Sequence, residues 1–477
     1  MPIPGVNVSF TDAVPAAGAP TDTGQWFVAG LAEKGPSGAA TKVTSLSSFR
    51  SKFGARQTYS SLSDAVETYF RSGGTTAYVS RIVGPAAVKA TLAVLGAASA
   101  ASIQVTAKDP GLWGNNLKVT VTAQSGNFRT LQISTTADGV LETSPSLDTV
   151  AGLVDWSATS QYVNVTANGV AVPAALAATN LATGTDDRAS IVQAQWTAGL
   201  AVFSRTLGPG QVSTPGVSTS AGNVVLLAHA AGNNRVALLD TASTDTTVSA
   251  MVSAASTLRL DANAAFGAVF GPWVQIAGVT PGTTRSVPMS AVMAGLIAAN
   301  DRYRDAGQAV AGREYPLTFV TNFTDYTDAD HEIALLGGIN LTKNVFGVRE
   351  NYGFRSLVDP AVDTNWLQFN FARLRMAITA ELESVAESFV FSRLDGAGHT
   401  LLQFKDSLTG VLGNYYARDA LYGATASEAF RVDVGESVNT VTTIANGELR
   451  AVVGVKFAPH AEVVYINVAK TPLAQAV

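Results

Sequence analysis

GINLTKNVFGVRENYGFRSL (Gly338 to Leu357) opens the stretch whose pattern decides the fold, and NTVTTIANGELRAVVGVKFAPHAEVVYINVAK (Asn439 to Lys470) closes it. Two long amphipathic segments lie between them. In Asn365 to Phe389, the residues Leu367, Phe371, Leu374, Ile378, Leu382, Val385 and Phe389 fall at spacings of three and four, as one buried helical face requires. The spacing predicts a helix of roughly 25 residues, about 37 Å long. Its other face carries Arg373, Arg375, Glu381, Glu383 and Glu387, with the acids near the end where they oppose the helix dipole. Such a face is either solvated or has partners elsewhere. In His399 to Tyr422, Leu401, Phe404, Leu408, Val411 or Leu412, and Tyr415 repeat the pattern, and Gly423 stands as a C-cap. Short alternating runs follow as strands: Phe430 to Val434, Val438 to Ile444, Leu449 to Phe457 and Val463 to Val468. Pro459 blocks continuous pairing and detaches the last of them. Two helices, a small sheet and a detachable final strand are expected, with no catalytic constellation.

At 477 residues the chain is too long for one ordinary core and calls for about three domains. Charged residues make up 14%, well below the usual share of about one quarter. So little charge suits a protein covered on several sides by neighbours. A formal charge of −5 and no Lys/Arg cluster argue against tracking a phosphate backbone, so no direct contact with nucleic acid is expected. The absence of cysteine excludes disulfides and thiolate metal sites. Met1 is followed by PIPGVNVSF, without a basic region and apolar core, and no apolar run is long enough to span a bilayer. Synthesis in a cytoplasm and no direct membrane contact are expected.

Pro2, Pro4, Pro15 and Pro20 surround the alternating run Val6 to Phe10. Prolines at both ends suit a free arm that adds to another sheet's edge; a disordered terminus is the alternative. A second detachable strand at the opposite end favours exchange. From Gly24 to Ile82 the order strand, loop, helix, helix, strand suggests a βαβ unit. Its main helix is capped by Ser61 or Ser63 and stopped by Gly73-Gly74. Residues 86 to 188 read as β-rich, with strands at Ile103 to Ala107, Leu117 to Ala123, Leu131 to Thr135 and Tyr162 to Thr166. Asp138-Gly139 and Asn168-Gly169 supply the turns. In AKDPGLWGNNLKVTV (Ala107 to Val121), Pro110-Gly111 and Gly114-Asn115 set a turn that Trp113 anchors by burial; stacking on a carbohydrate is the competing role.

Residues 190 to 320 return to α/β texture. Strands are expected at Val224 to Ala228, Arg235 to Asp240, Ala265 to Phe270 and Val274 to Ile276, and a helix at Thr247 to Leu258. Pro288 to Asn300 should form a closely packing helix, since Ala291, Ala294, Gly295, Ala298 and Ala299 leave its surface flat. Asp301-Arg302 after it reads as a local ion pair.

Enzyme signatures are missing. The four histidines, His229, His331, His399 and His460, show no metal-binding spacing, and no phosphate loop or GxSxG elbow occurs. Asp325, Asp328 and Asp330 lack the order of a calcium loop and suit a helix start at Thr327 or Asp328. No catalytic residue, cofactor or metal is expected.

Several of these words occur together, in the same order, in one family. TSLSSFRSKFG (Thr44 to Gly54), GGTTAYVSRIVG (Gly73 to Gly84), the AK-x-PG-x-WGN phrase, NRVALLD (Asn234 to Asp240), GPWVQI (Gly271 to Ile276) and VPMSAVMAGLIAANDRYRDAGQA (Val287 to Ala309) resemble blocks of contractile phage tail sheath proteins, shared with tailocins and related injection systems. The 338 to 468 stretch is similar to that family's C-terminal module. Residues 190 to 222 match nothing in the pattern, and NYGFRSL departs from the family's more usual G-x-RT wording.

The resemblance implies an α/β and α+β multidomain chain: an exchange arm at 1–20, an α/β core at 21–85 and 189–330, and a β-rich insertion at 86–188. A C-terminal sheath domain at 331–460 and an exchange strand and tail at 461–477 complete it. It implies a helical homo-oligomer of many copies in a virion tail, assembled in the host cytoplasm around a tail tube protein and contacting baseplate and tail terminator proteins. Val6, Val8 and Phe10, and Val464, Ile466 and Val468, would be the exchanged arms. Arg373, Arg375, Lys405 and Arg418 are the candidates to face the tube. A self-assembling surface-layer or adhesin-type protein shares the low charge but should begin with a secretory signal.

Overall fold

The computed structural model describes residues 22–466. These sort into two compact units, one of 22–303 and 310–376, the other of 304–309 and 377–466.

The larger unit opens with β1 (Trp26–Gly30), β2 (Thr41–Val43), α1 (Leu46–Phe53), α2 (Leu62–Arg71) and β3 (Ala77–Arg81). Next come β4 (Thr91–Leu95), β5 (Ala101–Ala107), β6 (Lys118–Ala123), β7 (Arg129–Thr135), β8 (Gly139–Thr143), α3 (Val150–Thr159), β9 (Val163–Ala167) and β10 (Leu176–Asn180). The chain continues with α4 (Gln193–Ala201), β11 (Gln211–Ser213), α5 (Ser220–Gly232), β12 (Val236–Asp240), α6 (Val248–Ala255), β13 (Gly267–Gly271), β14 (Val274–Ala277), β15 (Thr284–Val287) and α7 (Met289–Tyr303). It then adds β16 (Val320–Asn322), α8 (Asp328–Leu336), β17 (Ile339–Val345), β18 (Val348–Asn351) and α9 (Phe369–Glu387). The smaller unit holds the second half of α9, then α10 (His399–Tyr416), α11 (Ala426–Ala429), β19 (Phe430–Asp433), α12 (Val441–Ala445) and β20 (Val452–Val455).

Eight strands form the main sheet in the order β18-β17-β13-β12-β11-β1-β3-β2, parallel from β17 to β3. Helices pack on both faces, so β1, β12 and β13 are buried along their whole length. Side chains alternate between the faces. Phe27 and Ala29 enter the cluster with Leu226, Leu227 and Met251, whereas Trp26 stacks on Tyr69 of α2 with ring centroids 4.7 Å apart. The flat helix expected after Pro288 is α7, which packs on α2. A Cβ at Gly295 would stand 2.3 Å from the Ser72 Cβ, so only glycine permits this approach.

Between β3 and α4, two antiparallel sheets of order β10-β6-β7-β8 and β4-β5-β9 enclose a separate apolar cluster. Trp113 belongs to that cluster at 9% exposure, which suits an anchor and leaves little face for a sugar. Arg81 of β3 secures the neighbouring turn, donating to the carbonyls of Pro110 at 2.8 Å, Gly35 at 2.9 Å and Ala32 at 3.1 Å. Gly111, at φ 133°, lets the turn reach this guanidinium.

Several expectations are corrected. Val224 to Ala228 is not a strand but the middle of α5, where Asn223, Leu226, Leu227 and Ala230 recur at helical spacing after the Thr219 cap. A short apolar run fits either element, and the cap decides. Val438 to Ile444 is not a strand either. Thr440 accepts from the Thr443 amide and starts α12, which Asn446 and Gly447 stop. Helix α10 ends at Tyr416 rather than at Gly423. The main helix of the βαβ unit begins at Leu62 but receives no side-chain bond from Ser61; Ser60 Oγ accepts from the Leu62 amide instead. Residues 331 to 376 do not open the smaller unit: β17 and β18 extend the main sheet. Thr327, by contrast, caps α8 with Asp330 in a reciprocal box.

Candidate assembly surfaces

In the smaller unit, Phe404, Leu408, Val411, Leu412 and Tyr415 form the buried face of α10. The Asp395 carboxylate starts this helix by accepting from the His399 amide at 3.0 Å and the Thr400 amide at 2.8 Å. Those bonds hold it well below the usual carboxylate range. Phe389 at the end of α9 meets Phe404 with ring centroids 5.0 Å apart, and the Tyr415 hydroxyl donates to Glu381 at 2.8 Å. Helix α10 supports β19, which pairs antiparallel with β20 from Phe430–Val455 to Asp433–Val452.

Among the described residues β19 and β20 pair only with each other. Each therefore keeps an edge of backbone donors and acceptors, and a two-stranded ladder by itself is only marginally stable. Val452 of β20 is 58% exposed. The segment Val463, Val464, Tyr465 and Ile466 joins no strand here, and Val464 and Ile466 are 74% and 81% exposed. All four side chains are apolar or aromatic, and all four are exposed. Val6, Val8, Phe10 and Val468 lie outside the described residues.

Of the four cations expected to face a tube, Arg373 does not stand on a surface and Arg375 does so only in part. Arg373 is fully buried and ion-paired with Asp301, and Arg375 is half-buried with its guanidinium 4.1 Å from the Phe266 ring centroid and 5.3 Å from that of Trp366. Leu374 and Met376 beside them are also buried, so only the Phe371 and Arg375 side of this turn keeps partial exposure. Asp301 is consequently not the local partner of Arg302, which donates to the Gly73 carbonyl at 2.6 Å. Lys405 and Arg418, on and just after α10, are exposed.

Among the described residues no group of three or more His, Asp or Glu is placed to hold a metal ion, and no helix is long and apolar enough to cross a membrane. His229 is half-buried against Arg235, which donates to its Nε2 from 3.1 Å; burial and that cation lower its pKa to about 4. His331 is buried under Tyr352, ring centroids 5.7 Å apart. A cleft of about 760 Å³ in the larger unit is lined by Lys34, Trp113, Tyr162 and Asp138, with the Lys34 ammonium 5.5 Å from the Tyr162 ring centroid. Thr135 lines it too, and its hydroxyl donates to Asp138 Oδ2 at 3.0 Å and accepts from the Asp138 amide at 2.9 Å, closing the turn between β7 and β8.

No family model matches the chain, and no curated protein matches it. Solved structures do. A sheath tail protein of Desulfitobacterium hafniense superposes with a TM-score of 0.60 at 15% identity, over 90% of this chain and 93% of that one. A sheath tail protein of Listeria innocua gives 0.62 at 13% identity, over 89% and 91%. The contracted PVC sheath, from an extracellular contractile injection system, gives 0.58 at 15% identity, over 99% and 98%. The mixed α/β architecture, with its eight-stranded sheet, accessory β sheets and C-terminal helical unit, is thus the fold of the contractile tail sheath proteins.

Proposed function

We propose that the chain is the structural subunit of a contractile sheath: many copies wind helically around a tail tube, and their contraction drives the tube through a host envelope for genome delivery. The observation that carries this is the fold match along nearly the full length of both chains, 99% of this one and 98% of the PVC sheath subunit. A match confined to one unit would support only a shared domain.

A head-to-tail contact that does not close a ring generates an open helix. The N-terminal arm, with Val6, Val8 and Phe10, and the C-terminal strand, with Val464, Ile466 and Val468, add to the open edges of β19 and β20 on neighbouring copies. Main-chain ladders of this kind survive sliding of the domains between them, so the units rotate as rigid bodies into tighter packing. The energy is stored at assembly in a kinetically trapped extended state, and a baseplate triggers its release. Lys405 and Arg418 remain the cations available to a tube protein. A terminator protein would close the far end.

Negative-stain electron microscopy of the purified chain beside a variant lacking residues 1–20 tests this reading. Hollow helical tubes are expected from the full chain and their loss from the truncation. Compact monomers in both samples would overturn it.

A further inference from the structure

One buried polar network lies where the chain leaves the larger unit. Thr23, the second described residue, donates from Oγ1 to the Asp301 Oδ2 at 2.6 Å, and its carbonyl accepts from Gln211 Nε2 at 3.3 Å. The other oxygen of Asp301 is paired with Arg373 and accepts from Asn300 Nδ2 at 3.0 Å. The Tyr315 hydroxyl in turn donates to Asn300 Oδ1 at 2.7 Å. The Asp301 and Arg373 side chains are 2% and 0% exposed.

Their positions along the chain give the network its meaning. The chain passes between the units at 303/304, 309/310 and 376/377. Asp301 stands three residues before the first passage and Arg373 four before the last, while Thr23 follows residues 1–21, which lie outside the described residues. At the remaining passage, Asn351 Nδ2 donates to the Val310 carbonyl at 3.4 Å and the Gly312 amide to the Asn351 carbonyl at 2.8 Å. A buried ion pair adds little net stability compared with apolar packing, but any displacement leaves a charge unpaired in a dry interior. Its effect is to enforce one geometry. In a chain with only 14% charged residues, a fully buried pair at two exits acts on position rather than on bulk stability.

We propose that Asp301 is a positioning residue that clamps the root of the N-terminal arm, the end of α7 and the start of α9 into one rigid base. In the sheath reading, on which this use of the clamp rests, tension on the arm reaches α9 through the side chains of Thr23, Asp301 and Arg373, beside the route into the main sheet through β1 and Gln211.

The test is hydrogen exchange of the monomeric full chain, read by mass spectrometry, on Thr23→Val, Thr23→Ser and Asp301→Asn. Thr23→Val keeps the side-chain shape and removes only the hydroxyl that Asp301 accepts from. It is expected to speed exchange about tenfold over residues 22–26 and also at 301–304 and 370–376, with β12 and β13 still protected. Thr23→Ser restores protection because it keeps the hydroxyl, and Asp301→Asn speeds all three segments further. Acceleration confined to 22–26, or an equal loss of protection throughout the sheet, overturns the proposal. Micrographs of the same proteins keep the two readings apart: a wild-type chain without tubes sinks the sheath reading while the exchange result still decides the clamp.

Discussion

Arg81, Arg235 and Arg373 are each fully buried, and only Arg373 is neutralised by a carboxylate. Arg235 donates to the carbonyls of Phe203 at 2.5 Å, Ser204 at 2.8 Å and Gly208 at 3.2 Å and lies over the Phe27 ring. Burial lowers its pKa to about 10, which keeps it charged at neutral pH. Five donors on a planar head explain why arginine can collect loop carbonyls in this way. In the words SRIVG and NRVALLD nothing distinguishes such a residue from a surface arginine. Asp240 is the other buried charge with a measurable consequence. It accepts from the Ser290 amide at 2.8 Å and the Ser290 hydroxyl at 2.6 Å, yet burial outweighs these bonds and pushes its pKa up to about 7. The folded state therefore holds this proton more tightly than the unfolded chain. Its contribution to stability is fully present below about pH 4. It is lost as the pH rises to about 7. Asp240→Asn is expected to flatten that part of the pH dependence, and urea midpoints at several values between these limits would show it; an unchanged slope would contradict the assignment. His229, lowered to about 4, contributes with the opposite sign, losing stability as the pH falls below its ordinary value.

Among the elements, α7 was legible from composition alone, because a run of alanine and glycine can serve only close packing. Met289, Ala291, Val292, Ala294 and Ile297 are all buried. Gly295→Val would drive a branched side chain into the Tyr69 carbonyl, 2.5 Å from an added Cβ, and into Ser72. A loss of about 1–3 kcal/mol is expected, read from thermal or urea unfolding. Val292→Ile, on the same helix, should cost less and serves as the comparison. Helices α5 and α12 were misread as strands for a common reason. Valine- and threonine-rich runs favour strands locally, but Thr219 and Thr440 each offer a side-chain oxygen to the third residue on, and the surrounding packing then favours the helix.

At the scale of the whole molecule, the assembly reading depends on residues that the isolated chain leaves open. Val464→Pro and Ile466→Pro remove ladder donors from an exposed segment, so unfolding of the monomer should shift by less than about 0.5 kcal/mol. Sedimentation velocity is expected to show helical assembly lost in both variants. Tubes that form normally with either proline would exclude strand addition at this segment.

The sequence by itself determined the opening βαβ unit, the β-rich region of 86 to 188, the Trp113 turn, the flat helix α7, the cap at Thr327 and the buried face of α10. Each is written within a few turns or one strand, where backbone preference, capping and apolar spacing act over short range. Tertiary structure alone decided the order of the eight strands, the membership of β17 and β18 in the main sheet, and the burial of Arg373 beneath a helix face that looked solvated. Thr23 and Asp301 are 278 positions apart, and Asp301 and Arg373 are 72 apart. No local pattern encodes such a meeting, because its energy comes from desolvating partners that only the closed fold brings together.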